Sequence, residues 1–121
     1  MLASGAGMDA SAALSELVGV STQVVEVVIA GPGGTIEAAR TAGDVRSEAL
    51  AASGAALLAE AASLRDGPAV ERVHVDTDRG SLVVVSDGER VVVATTVAEP
   101  TVGLVAYDLR AVLARVRGDS A

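Results

Sequence analysis

The sequence predicts an α/β (α+β) fold, a five-stranded antiparallel sheet with helices on both faces in the order α-β-β-α-β-β-β-α, on three grounds. Short runs rich in Val and Ile are separated by glycine-containing turns, which is how strands are punctuated. A long alanine-rich stretch between them has the composition of a helix. The segments flanking the runs repeat apolar residues every three or four positions, the period of an amphipathic helix.

Residues 1–8 are small and read as a flexible tail. Asp9 is the expected N-cap of a helix in which Leu14, Leu17 and Val18 share a face and which Gly19 ends. A first strand at 23–30 and a second at 35–40 flank the turn Gly31-Pro32-Gly33-Gly34. Helix 2 is expected over 45–65, stopped by Gly67 and Pro68. Its Leu50, Gly54, Leu57, Ala61 and Leu64 form one stripe, and Ala51, Ala55, Leu58 and Ala62 form a second beside it. One stripe seats the helix on its own sheet, and the other is left apolar and exposed on an isolated protomer.

Three strands follow at 70–77, 81–86 and 90–97, joined by hairpin signals at Asp78-Arg79-Gly80 and Asp87-Gly88. Thr101 is the expected cap of a last helix through Val102, Val105, Leu109, Val112 and Val116. One domain thus spans 9–117, with a C-terminal tail at 118–121. Strands 1, 4 and 5 carry Val on both faces and belong inside the sheet. Strand 2 is short, and strand 3 alternates Arg72, His74 and Asp76 with Val73, Val75 and Thr77, so these two are edges. An edge of that length is either used for pairing or blocked against it; here pairing is expected, with a charged row that blocks it as the alternative.

Composition narrows the function. Half the residues are apolar and the mean hydropathy is +0.48, so the chain can bury a core, although it has no Phe or Trp and a single Tyr, Tyr107. The net charge is −7 and all nine basic residues are Arg, without a basic cluster or stacking aromatics, which excludes nucleic acid as a partner. No cysteine is present, so disulfides and thiolate chemistry are excluded. The start lacks the basic and apolar segments of a signal peptide, and no stretch approaches the roughly 20 apolar residues needed to insert in a membrane. The expected location is the cytoplasm.

Candidate chemistry is sparse. His74 is the only histidine, with Asp76 on its face of the strand and Asp78 nearby, too few groups for a closed zinc site. The glycine-rich turn has neither the Lys nor the Ser/Thr of a phosphate-binding loop and joins two strands. No Gly-x-Ser-x-Gly elbow is present. The chain is therefore read as no enzyme, without catalytic, metal-ligating or cofactor-binding residues. Its expected interface residues are Leu50, Ala51, Gly54, Leu57, Leu58 and Ala61 of helix 2, with Arg72, His74 and Asp76 of strand 3. Burial within one protomer is the alternative for the helix 2 set.

The element order, the turn after strand 1, the alanine-rich helix 2 and the ending Pro100-Thr101-Val102-Gly103-Leu104-Val105 before Leu109-Arg110 resemble the roadblock/LC7 family. The resemblance covers Asp9 to Arg117 and departs at Gly31-Pro32-Gly33-Gly34, where the family usually has a polar residue and Asp-Gly. It implies a profilin-like sheet and a homodimer through helix 2 and strand 3. It also implies work beside a small Ras-like GTPase, as in the bacterial members, either activating or as an adaptor. A structural scaffold with no GTPase partner is the alternative. If an arginine acts in trans on that partner, Arg40, Arg46, Arg65 and Arg79 stand near loops or helix ends.

Overall fold

The computed structural model describes residues 9–64 and 71–118. They form α1 (Ala10–Val20), β1 (Val24–Ala30), a 3-10 turn (Pro32–Gly34), β2 (Ile36–Arg40), α2 (Asp44–Ser63), β3 (Arg72–Thr77), β4 (Gly80–Ser86), β5 (Val91–Thr96) and α3 (Val102–Arg117). The expected tail at 1–8, Arg65, the helix stop at Gly67 and Pro68, the strand start at Val70 and residues 119–121 lie outside the described residues.

All four strand pairings are antiparallel, in the order β2-β1-β5-β4-β3. The Val-rich strands β1, β5 and β4 occupy the middle and β2 and β3 the edges, because a central strand must present apolar side chains to both layers. Val27 and Ile29 of β1, Val83 and Val85 of β4, and Val92 and Ala94 of β5 pack against Leu14 and Leu17 of α1 and Val105, Leu109 and Val112 of α3. On the other face, Val28, Val84 and Val93 meet Leu50 of α2. Val25, which regular alternation along β1 would set on the same face as Val27, is exposed because the pairing of β1 with β5 shifts register between Val24 and Glu26.

Two glycines are set by close approach. A Cβ on Gly54 would overlap Val93 Cγ2, with Val93 Cβ and Cγ1 each 3.3 Å away, so the missing side chain lets α2 settle onto β5. Gly80 closes the β3–β4 hairpin with φ +148°, and a Cβ there would run into the Thr96 carbonyl oxygen.

Helix ends differ from the sequence expectation. Asp9 and Thr101 make no side-chain cap bond. Their carbonyls instead accept the N–H of Ala13 and of Leu104 and Val105, while the Thr101 N–H donates to Gln23 Oε1 at 2.6 Å. Gly19 does not end α1, which continues to Val20. Gly118, assigned to the tail from sequence, is the left-handed cap of α3, and its N–H donates to the Ala114 and Arg115 carbonyls.

Candidate interaction surface

The surface is built on β3. The Glu71 carbonyl accepts the Ser86 N–H at 2.8 Å, so by strand alternation Val73, Val75 and Thr77 also turn their backbone groups toward β4. Arg72, His74 and Asp76 turn theirs outward, away from the sheet. An unpaired row of donors and acceptors in extended backbone is a template for another strand.

The side chains divide differently from the sequence expectation. Arg72, His74 and Asp76 stand opposite Val85, Val83 and Ser81 of β4, on the α1/α3 face. Val73 and Val75 stand opposite Val84 and Leu82, on the α2 face. The two halves of the expected interface therefore lie on opposite faces of the sheet. Within the helix half, Leu50 and Gly54 are buried against the protomer's own strands, whereas Ala51, Leu57, Leu58 and Ala61 are half-buried. Val73 and Val75, absent from the sequence-based set, continue the apolar surface from α2 to the sheet edge, and Val75 is 40% exposed. The period-two alternation separated them from His74, but which set faces α2 follows only from register.

The outer side of α2 exposes Ala52, Ala55, Ala56 and Ala59, and from Ala49 to Ala59 the helix carries no charge. Alanine is too small to cover the sheet beside it. A groove of about 630 Å³ results between α2, the Pro32–Gly34 turn and the β4–β5 turn, floored by Ile36 and Val91 and flanked by Glu48 and Glu89. The glycine turn is a strand-to-strand connection, with the Gly31 N–H donating to the Thr35 carbonyl at 2.7 Å. It presents no helix N-terminus for a phosphate.

Charges near the surface are mostly paired. Arg46 holds Glu26 through Nε–Oε2 and Nη2–Oε1 contacts of 2.8 Å each, and Thr95 Oγ1 donates to Glu26 at 3.1 Å. The Arg46 hydrogen bond lowers the Glu26 carboxyl below its ordinary range, against the opposing effect of burial. Glu37, 2.9 Å from Arg90 Nε, raises that guanidinium in turn. Among the arginines considered for action in trans, Arg46 is committed to Glu26, and Arg40 donates to Ser11 and Ser15. Arg79 stands exposed in the β3–β4 turn, and Arg65 lies outside the described residues.

His74 Nε2 is 3.8 Å from Asp76 Oδ2, beyond hydrogen-bond reach, while Asp76 Oδ1 accepts the Ser81 hydroxyl at 2.6 Å. The carboxylate thus sits between hydroxyl and imidazole, the wrong order for a base that activates a serine. Among the described residues no group of three or more His, Asp or Glu is placed to hold a metal, and no helix is long and apolar enough to cross a membrane.

No family model matches the chain, and no curated protein matches it in sequence. In structure it is similar to a roadblock/LC7 domain from Streptomyces avermitilis, with a TM-score of 0.77 and 20% identity over 93% of this chain and 96% of that one. It is also similar to the gliding protein MglB from Thermus thermophilus, with a TM-score of 0.73 and 18% identity over 93% and 90% of the two chains. An MglB with a tetrameric arrangement aligns with a TM-score of 0.66 and 18% identity over the same shares of the two chains, 93% and 90%. The fold is that of roadblock/LC7 domains, as the resemblance in sequence implied.

Proposed function

We propose that the chain is a homodimeric, non-catalytic protein-binding module that regulates a small Ras-like GTPase in the cytoplasm. The observation that carries the self-pairing is the edge strand β3. It leaves outward backbone groups unpaired, and on its α2 face Val73 and Val75 continue an apolar surface that α2 only half covers. A second copy extends the sheet and lays its α2 beside the first, removing apolar surface from water at about 25 cal/mol per Å². The small apolar core on that face, with Leu57, Leu58, Leu82 and Val91 packed only partly against it, supports the need for such cover.

The GTPase partner is supported by the resemblance to the roadblock/LC7 family, whose members work beside small Ras-like GTPases. The dimer docks the switch region of that partner, and the uncharged outer side of α2 is the surface offered to it. Regulation proceeds by repositioning the partner's own loops. A non-catalytic role is supported by the order of Ser81, Asp76 and His74, which supplies no activated nucleophile.

The test is capture from host lysate on the immobilised protein, with GDP or a non-hydrolysable GTP analogue added and bound proteins identified by mass spectrometry. A small GTPase retained with one nucleotide and released with the other supports regulation, and its turnover is then compared with and without this chain. Recovery of only nucleotide-insensitive partners favours a second reading, a structural scaffold. The tetrameric arrangement of one MglB of the same fold is the observation that speaks for it.

A further inference from the structure

We infer that the chain binds a basic, linear segment of a partner protein in a trough between α2 and β2. An apolar side chain of the segment seats on Ile36 and Val91, with cations held by Glu89 at one end and by Glu48 and Asp44 toward the other. The inference rests on the reading of the chain as a protein-binding module. It is independent of the self-pairing, because the trough lies along β2, the sheet edge opposite β3.

Two hollows make the trough. The groove of about 630 Å³ has Ile36 and Val91 as its floor and Ala51, Ala52 and Ala55 as one wall, while the facing turns contribute Gly33, Gly34 and Gly88, which carry no side chain. A second hollow of about 450 Å³ continues it toward the start of α2 and shares Ile36 and Glu48 with the first. Together they follow β2 from the Pro32–Gly34 turn to Ala39 and Asp44. The 5 residues of β2, at about 3.3 Å each, give a length on the order of 16 Å, the span of about five residues of extended chain. Ile36 and Val91 pack on the small apolar layer yet are only half-buried, so an apolar side chain laid over them removes surface from water on both partners.

The charge of the trough is one-sided. Glu37, Asp44, Glu48 and Glu89 line it, and no arginine does. Of the cations close by, Arg90 is spent on Glu37 and Arg46 on Glu26. Asp44, Glu48 and Glu89 have no cation within ion-pair range among the described residues. They come from two separate elements, α2 and the β4–β5 turn, so the uncompensated charge flanks the apolar floor rather than sitting at one spot. Such a surface is complementary to an apolar residue flanked by Arg or Lys and repels acidic peptides and phosphate-bearing surfaces. Alternate residues of an extended segment share a face, so a cation, an apolar residue and a second cation at every other position fit the trough. A free organic cation fills only one of the two hollows.

Selection from a random heptapeptide library on the immobilised full chain tests the inference. Enriched sequences are expected to set Arg or Lys on both sides of Leu, Ile or Phe; enrichment of acidic or uncharged sequences, or of none, overturns it. An enriched peptide labelled with fluorescein is then titrated by anisotropy against variants at three exposed positions of α2. Glu48→Arg turns attraction into repulsion and weakens binding about tenfold. Ala55→Phe fills the larger hollow and abolishes binding. Glu60→Arg, outside the trough, changes the net charge by the same amount and leaves binding unchanged; a loss equal to that of Glu48→Arg shows attraction by overall charge and overturns the site. Displacement of the peptide by free octylammonium at equal concentration assigns the trough to a small organic cation. Peptide binding that falls as chain concentration rises assigns it to a second copy, and either result overturns the segment. A chain that captures a GTPase in a nucleotide-dependent way but enriches no basic peptide removes this inference alone. One that binds the peptide but captures no GTPase removes only the GTPase reading and leaves the trough standing.

Discussion

Replacing Gly54 with alanine tests how α2 is seated. Alanine in a helix interior is favoured over glycine by about 1 kcal/mol, so on propensity alone the variant gains stability. The structure reverses the sign. The new Cβ overlaps Val93 Cγ2 and has two more Val93 carbons at 3.3 Å, and Val93 is wholly buried on the central strand β5. A β-branched side chain on a strand with neighbours on both sides has no free rotamer to move into. Overpacking of this kind costs about 1–3 kcal/mol, and with three carbons engaged the upper part of that range applies. After the propensity gain, Gly54→Ala is destabilised by roughly 1–2 kcal/mol. For a domain of this size that lowers Tm by roughly 5–10 °C. The assay is thermal and urea unfolding at one fixed protein concentration, because self-association makes stability depend on concentration. Val93→Ala opens space beneath the helix, so in the double variant the two costs are less than additive by about 1 kcal/mol. A Gly54→Ala protein more stable than wild type, or strict additivity in the double variant, refutes the close approach.

Three further outcomes follow from the packing and charge. Leu50→Ala removes the principal α2 side chain of the small apolar layer and costs about 2–5 kcal/mol by urea unfolding; a loss below about 1 kcal/mol shows that α2 is held by something else. Gly80→Ala forces a side chain into a backbone conformation of φ +148° and against the Thr96 carbonyl, costing about 1–3 kcal/mol, and an unchanged Tm contradicts that hairpin geometry. The Glu26 carboxyl is lowered in the folded state, so its pairing with Arg46 contributes stability that is fully present above the ordinary carboxylate value of about 4.3 and is lost as pH falls through its own lower value. The stability gap between wild type and Arg46→Gln is accordingly widest at neutral pH and closes in acid; a gap independent of pH contradicts the pairing.

The element order and the division into central and edge strands were legible because Val on both faces of a strand admits only an interior place in the sheet. The helix caps were not, since Asp9 and Thr101 serve through backbone carbonyls that any residue supplies. Val25 escaped because a register shift is invisible to a period-two pattern. The stripe of α2 was legible in outline, yet sequence alone did not separate Leu50 and Gly54, turned to the protomer's own sheet, from the half-buried Leu57 and Leu58. Nor did it show that Val73 and Val75, rather than His74, share a face with α2, because that depends on how β3 registers with β4. The groove beside α2 arises from volume that alanines fail to fill, and an absent side chain leaves little trace in a hydrophobic pattern.

The central claim is that β3 and the half-covered α2 face join two copies. Sedimentation equilibrium of the native chain beside His74→Pro tests it, since the His74 N–H points outward and its loss leaves the β3–β4 hydrogen bonds intact. The native protein is expected to sediment at twice its 11.9 kDa chain mass, and the folded variant as a single chain. A native protein that stays at 11.9 kDa across the concentration range, or a proline variant that dimerises as well as wild type, contradicts it.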